Sequence, residues 1–174
     1  MYLIRERFFD IGDDFDITDE SGAVVFHVDG KVLTLRDKVV IQDPSGQEVA
    51  AVHRKTLALR RTYSISIGGE KAAEMTKKLF TPFRDKYTID IPGPDDLELS
   101  GDLLDHEYTV ERDGREVASV SKKWFSIRDT YAVRVAEGED DLLILAGVIA
   151  LDLAQASEKE KEKEKDEKNK NKDD

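Results

Sequence analysis

The 174-residue chain contains no cysteine. That absence removes structural disulfides, thiolate zinc sites, iron–sulfur clusters and cysteine nucleophiles together, and it fits a reducing compartment. Long apolar runs are missing too. The longest, Leu142 to Leu151, is interrupted by Asp152 and falls short of the roughly 18 residues that a membrane-spanning helix needs. The opening residues, Met1-Tyr2-Leu3-Ile4-Arg5-Glu6-Arg7, carry charge where a secretory signal places an apolar stretch and a small-residue cleavage site. A cytoplasmic protein without a transmembrane segment is the expectation.

Positive charge is in short supply: 27 Lys and Arg against 38 Asp and Glu give a net charge of −11. Residues 157–174 hold 7 Lys against 8 acidic residues, so nearly all of the excess, −10, belongs to the body. A field of that sign disfavours nucleic acid and anionic bilayers, which need basic patches to release counterions. No nucleic-acid partner is expected, and an anionic ligand would need a local exception. The length suits one domain with a core large enough to dispense with disulfides or metal.

What the chain does have is internal repetition. A shift of 68 residues places Gly46 to Tyr63 on Gly114 to Tyr131 without a gap, with nine of 18 positions identical. A shift of 24 brings Gly22, Val25, Val28, Lys31, Leu33, Leu35 and Arg36 onto Gly46, Val49, Val52, Lys55, Leu57, Leu59 and Arg60. A looser copy runs through Gly69, Ala72, Met75, Lys78 and Phe80, with an interruption at Thr81-Pro82 that suits a bulge. Arg7 to Ile17 reads as the second half of a further unit. Repetition at this period signals stacked or barrelled supersecondary units.

Within each unit apolar residues recur every second position: Val39 and Ile41; Tyr63, Ile65 and Ile67; Tyr131, Val133 and Val135. That period predicts strands. Turn signals separate them at Asp43-Pro-Ser-Gly46, Gly68-Gly69, Pro92-Gly-Pro94 and Asp113-Gly114. After Gly138 the pattern changes to Glu139-Asp140-Asp141 followed by Leu142 to Leu151. Acidic residues suit the positive end of a helix dipole, and a helix apolar on every side must be buried on every side. A helix over about 140–154 inside a closed antiparallel β-barrel is the solution for a chain this size. A helix about 10 to 12 Å across with its side chains fills such a lumen and leaves no large ligand cavity. Residues 1–156 are therefore predicted to form the barrel domain. Residues 157–174, Glu-Lys alternation without an apolar residue, are predicted to form a disordered tail, a charged helical extension being the alternative.

These features coincide in one family. The segments Leu35 to Gly46, Leu103 to Val110 and Trp124 to Tyr131, with the apolar helix introduced by Asp140-Asp141, make the chain resemble the LURP-one-related family over about Tyr2 to Leu153. That family lies in the Tubby C-terminal-like group, which also includes the phospholipid scramblases. The resemblance implies a barrel of about twelve antiparallel strands around a central C-terminal helix. It implies little about activity, since fold does not fix function. Tubby domains bind phosphoinositides through surface Lys and Arg, but no motif here matches onto which those residues can be carried.

Chemical signatures are sparse. His27, His53 and His106 are far apart and at no metal-ligand spacing, so they read as residues on strand surfaces or strand ends. Asp13, Asp14, Asp16 and Asp19 lack the Gly and Glu of a calcium loop. Gly68-Gly69-Glu70-Lys71 is a hairpin turn, not a phosphate loop. No Gly-x-Ser-x-Gly elbow announces a hydrolase. No catalytic residue, metal or cofactor is predicted.

The remaining candidates are basic clusters at equivalent repeat positions, with Arg54, Lys55, Arg60, Lys122, Lys123 and Arg128 as ligand-binding candidates. Recurrence predicts equivalent heights around the barrel. They form either a rim for phosphate or anionic headgroups, with Trp124 as an apolar neighbour, or charges paired with carboxylates on neighbouring strands. The expected function is a non-enzymatic binding or scaffold module, its partner left open between a protein and an anionic lipid or phosphate ligand. The alternatives are an anionic-lipid or phosphorylated-ligand binder and a hydrolase without a recognisable motif.

Overall fold

The computed structural model describes residues 1–5, 14–30, 38–55, 61–78, 86–93, 96–124 and 130–170, with side chains in the final helix to Lys159 and at Lys165. Among the described residues the chain is a run of twelve strands followed by one helix. The strands are β1 (Tyr2–Arg5), β2 (Phe15–Asp19), β3 (Val24–Asp29), β4 (Lys38–Gln42), β5 (Glu48–Lys55), β6 (Thr62–Ile67), β7 (Glu70–Lys77), β8 (Tyr87–Asp90), β9 (Leu97–Asp102), β10 (Glu107–Arg112), β11 (Arg115–Ser121) and β12 (Thr130–Val135). The helix, α1, spans Asp141–Lys170. Each strand pairs antiparallel with the next, and β1 pairs with β12 to close the barrel. Closure leaves no strand edge open to foreign pairing.

The two-residue period sorts side chains between lumen and solvent. Ile41, Val52, Ile65, Met75, Ile89, Leu97 and Val133 point inward, and each is at most 2% exposed. The hairpins β2–β3, β4–β5, β6–β7 and β10–β11 are tight. Asp19 and Asp43 build the same turn twice, each carboxylate accepting hydrogen bonds from the backbone amides two and four residues on. Those bonds, led by the ones from the Ser21 and Ser45 hydroxyls, hold both carboxyls below the usual range. Gly22 and Gly46 complete these turns with φ at +85°, a conformation that costs glycine nothing.

Three residues beyond a turn glycine the ladder skips one residue, at Val25, Val49, Ala72 and Val117. Such bulges sharpen strand twist and help a sheet curl closed. Residues related by the 68-residue shift also pair in one register: Ala50↔Ile67 corresponds to Ala118↔Val135, and Val52↔Ile65 to Val120↔Val133.

α1 fills the lumen. Asp140 caps it, its carboxylate accepting from the Leu143 amide at 3.0 Å, and every residue from Leu143 to Gln155 is buried. Each fully buried Leu, Ile or Val contributes about 1.5–3 kcal/mol. Gly147 lets the helix approach the wall, since a Cβ there would sit 2.5 Å from Cδ1 of Ile89. At the entrance, Glu139 bonds Arg112 at 3.0 Å and Arg115 at 3.1 Å. The helix does not end where free chain is expected at 157. It continues to Lys170, Glu and Lys being strong helix formers. The interruption expected at Thr81-Pro82 lies outside the described residues.

Candidate functional site

The meander gives the barrel two unlike ends. Tight turns and the helix entrance share one end. The C-terminal ends of β1, β3, β5, β7, β9 and β11 share the other, the long-connection end, where α1 emerges. There Gln155 Nε2 donates to the Leu103 carbonyl at 2.8 Å, and Glu158 lies between Arg61, at 2.9 Å, and Lys77, at 3.2 Å. The described basic candidates, Arg54, Lys55, Lys122 and Lys123, belong to this end.

Arg54 and Lys55 close β5, and Lys122 and Lys123 follow β11. These strands are six apart in a closed ring of twelve, so the two pairs sit on opposite sides and form no single patch. Arg60 and Arg128 lie outside the described residues. The others are tied to the protein itself. Lys55 and Lys71 both bond Glu74, at 2.6 and 2.5 Å, and they hold its carboxyl below the usual range. Lys78 likewise bonds Glu98 and lowers it.

Glu107 organises the turn after β11, accepting from the Ser121 hydroxyl at 2.9 Å and from the Lys122 and Lys123 amides at 3.0 and 3.3 Å. Burial pulls its carboxyl up, but the Ser121 hydroxyl and the Lys123 amide and ammonium outweigh that and leave it low. The Lys123 ammonium is 3.5 Å away. Arg54 differs from these lysines. It stands opposite Tyr63 in the β5–β6 register, so it faces the mouth of the lumen.

Two large apolar residues are exposed among the described residues, Leu104 at 63% and Trp124 at 36%. Both lie at the long-connection end, on adjacent connections because β10 pairs with β11. Trp124 stacks under the Arg134 guanidinium, 4.2 Å from its ring centre. The structure thus supplies two exposed apolar residues at this end, of which Trp124 lies beside Arg134 and follows Lys122 and Lys123 in the chain.

Beneath this surface lies a group that the spacing of the histidines does not disclose. His106 is not a surface residue: it is 4% exposed, with Nε2 3.0 Å from Oδ1 of Asp152 on α1. The Tyr131 hydroxyl donates to the other oxygen of Asp152. The His106 and Tyr131 rings stack with centroids 4.3 Å apart. Tyr108 is buried nearby, its hydroxyl pushed well above the ordinary value by burial and by the Asp152 charge. The left-handed backbone at His106, φ +52°, turns this ring inward. His27 instead pairs with Asp16 at 2.5 Å on the outer wall, and His53 is exposed on β5. Among the described residues no three His, Asp or Glu side chains converge to hold a metal, and no helix is long and apolar enough to cross a membrane.

The profile of the LURP-one-related family matches residues 1–152. The chain belongs to the LURP-one-related family. It is similar to the uncharacterised protein YxjI of Bacillus subtilis, 33% identical over 153 residues that make up 87% of this chain and 76% of that one. Its fold is similar to the crystal structure of an Arabidopsis thaliana protein, with a TM-score of 0.61 and 19% identity over 90% of both chains. That likeness establishes for this LURP-one-related protein the closed barrel around a C-terminal helix.

Proposed function

We propose that this LURP-one-related protein is a non-enzymatic binding module that engages a partner protein with the long-connection end of its barrel. The observation that carries this reading is the lumen: α1 occupies it from Leu143 to Gln155, so recognition falls to the outer surface and the ends. Of the two ends, the one with long connections carries Leu104 and Trp124, and an exposed aromatic beside a guanidinium is the composition of an interface anchor. Lys55, Lys78 and Lys123 have carboxylate neighbours, so these three lysines support a polar rim around the apolar anchors.

The test uses the full chain and a Leu104→Asp/Trp124→Ala variant with unchanged melting temperature as paired baits. A partner held by the wild type and lost from the variant supports the reading. Turnover of an ester, phosphoester or glycoside that survives purification and saturates overturns it. A second reading, contact with anionic lipid, draws on Lys122 and Lys123 beside Trp124, a cationic–aromatic pair suited to a bilayer interface. Sedimentation with phosphatidylserine vesicles, lost when Arg54, Lys55, Lys122 and Lys123 are changed to Ser, would favour it.

A further inference from the structure

The mouth of the barrel over β5, β6 and β7 is a local exception to the acidity of the body. Arg61 and Lys77 converge on one carboxylate oxygen of Glu158, at 2.9 and 3.2 Å, and Lys77 lies 3.3 Å from the second. Lys77 also lies over the Tyr87 ring, 5.8 Å from its centre, which fixes the ammonium at the lumen edge. Arg54 faces the same space from β5, opposite Tyr63. Burial pushes the Tyr63 hydroxyl up while Ser157, Arg54 and Arg61 pull it back, as expected where cations crowd a buried phenol.

Two cations, one just before β6 and one at the end of β7, thus hold one carboxylate, with Arg54 on neighbouring β5, and that carboxylate belongs to no strand. It is carried by α1 immediately beyond the last buried residues, where the helix leaves the barrel and nothing apolar holds it. The Arg61, Lys77 and Glu158 side chains are 31%, 25% and 27% exposed, so water and a small anion reach them.

We propose that this mouth is a binding site for a phosphate-bearing anion and that Glu158 is its built-in competitor. A phosphate offers more charge and more acceptor oxygens than one carboxylate, and planar Arg61 beside Lys77 suits a tetrahedral anion. The proposal gives the long-connection end a ligand class and a regulating group, and it rests on the reading of that end as the binding face. Fraying of α1 past Ser157 opens the site; closing it returns the Glu158 ion pairs. No covalent step is involved.

The test is titration of the full-length protein with inorganic pyrophosphate, read by calorimetry and by amide shifts of Arg61, Lys77 and Glu158. Glu158→Gln, with melting unchanged, is expected to bind roughly threefold to tenfold more tightly than the wild type, about 0.7–1.4 kcal/mol. Arg61→Ser or Lys77→Ser in that background is expected to abolish the gain, and added salt to weaken binding. A Glu158→Gln protein that binds no more tightly than the wild type, or whose binding ignores Arg61 and Lys77, overturns the proposal.

Phosphatidylcholine vesicles with and without phosphatidic acid separate the sources. Sedimentation of Glu158→Gln only with phosphatidic acid, reversed by pyrophosphate, supports a lipid headgroup. Binding of pyrophosphate without sedimentation supports a free anion. These variants leave Leu104 and Trp124 intact, so lost anion binding with retained partner capture refutes the anion site alone.

Discussion

Replacing Asp152 with Ala tests whether the buried His106–Asp152–Tyr131 group holds α1 in the barrel. Asp152 is 2% exposed, and its two oxygens meet the Tyr131 hydroxyl and His106 Nε2. Removing the carboxylate leaves two buried donors without their acceptor, at about 1–3 kcal/mol each. The expected total is about 2–6 kcal/mol, a large share of a stability of about 5–15 kcal/mol. At about 2–4 °C per kcal/mol for a chain this long, the melting temperature should fall by roughly 4–24 °C. The assay is urea unfolding of Asp152→Ala, His106→Ala and the double variant. Because the two side chains touch, a coupling of about 0.5–3 kcal/mol is expected. A loss below about 1 kcal/mol for Asp152→Ala, or additive single losses, would refute the reasoning.

Other perturbations probe the frame. Ile144→Asp or Val148→Asp places an unpaired charge inside the lumen and should abolish cooperative unfolding; a soluble variant with unchanged melting would refute the buried helix. Gly101→Ala should cost more than about 2 kcal/mol in urea unfolding, because a Cβ there would lie 2.7 Å from the Glu107 carbonyl oxygen and the Tyr108 Cα at φ +140°. Deleting residues 159–174 should shift melting by less than about 2 °C, as this part of α1 lies beyond the barrel; a larger drop in a thermal scan would show that it is anchored. Asp19 and Asp43 have folded-state pKa values below their unfolded ones, so their contribution is present above the unfolded value, near 3.8, and is lost as pH falls through the folded value. The Asp19→Asn/Asp43→Asn variant should therefore lose less stability than the wild type when unfolding is followed from pH 5 down to about pH 2; an unchanged acid profile would refute their role.

Much of the frame was legible because it is written in local periods. Tyr63-Ile65-Ile67 and Tyr131-Val133-Val135 alternate as half-buried strands must, and Leu142 to Leu151 have no polar face to show to water. Even the bulges have a sequence trace, since Val25, Val49, Ala72 and Val117 each follow a turn glycine by three. The number of strands was not countable from pattern alone and came from the family resemblance. The site was less legible. His106 reads as a strand-end residue until the fold sets it against Asp152, 46 residues away, and no local period records such a contact. The basic clusters were visible as charges, but whether Lys55 meets Glu74 or Lys77 meets Glu158 depends on register and on where α1 leaves the barrel. The stretch past 157 reads first as free chain and second as a charged helix, because Glu-Lys alternation lacks an apolar face, the signal by which a helix is usually recognised, while retaining high intrinsic propensity.

The closure of β1 on β12 and the late position of α1 set the order in which this protein can mature at the ribosome. Strand β1 is made first yet has to wait for β12 before one of its two flanks is satisfied. The lining residues Ile17, Ile41, Ile65 and Ile89 are all synthesised before the helix they enclose. Until residues 143–155 have left the exit tunnel the nascent chain owns a wall with nothing to surround, which makes it a substrate for chaperones and for aggregation. Folding of the whole barrel is thus held back until α1 has been synthesised, and a transcript broken anywhere before the helix yields a wall without its filling.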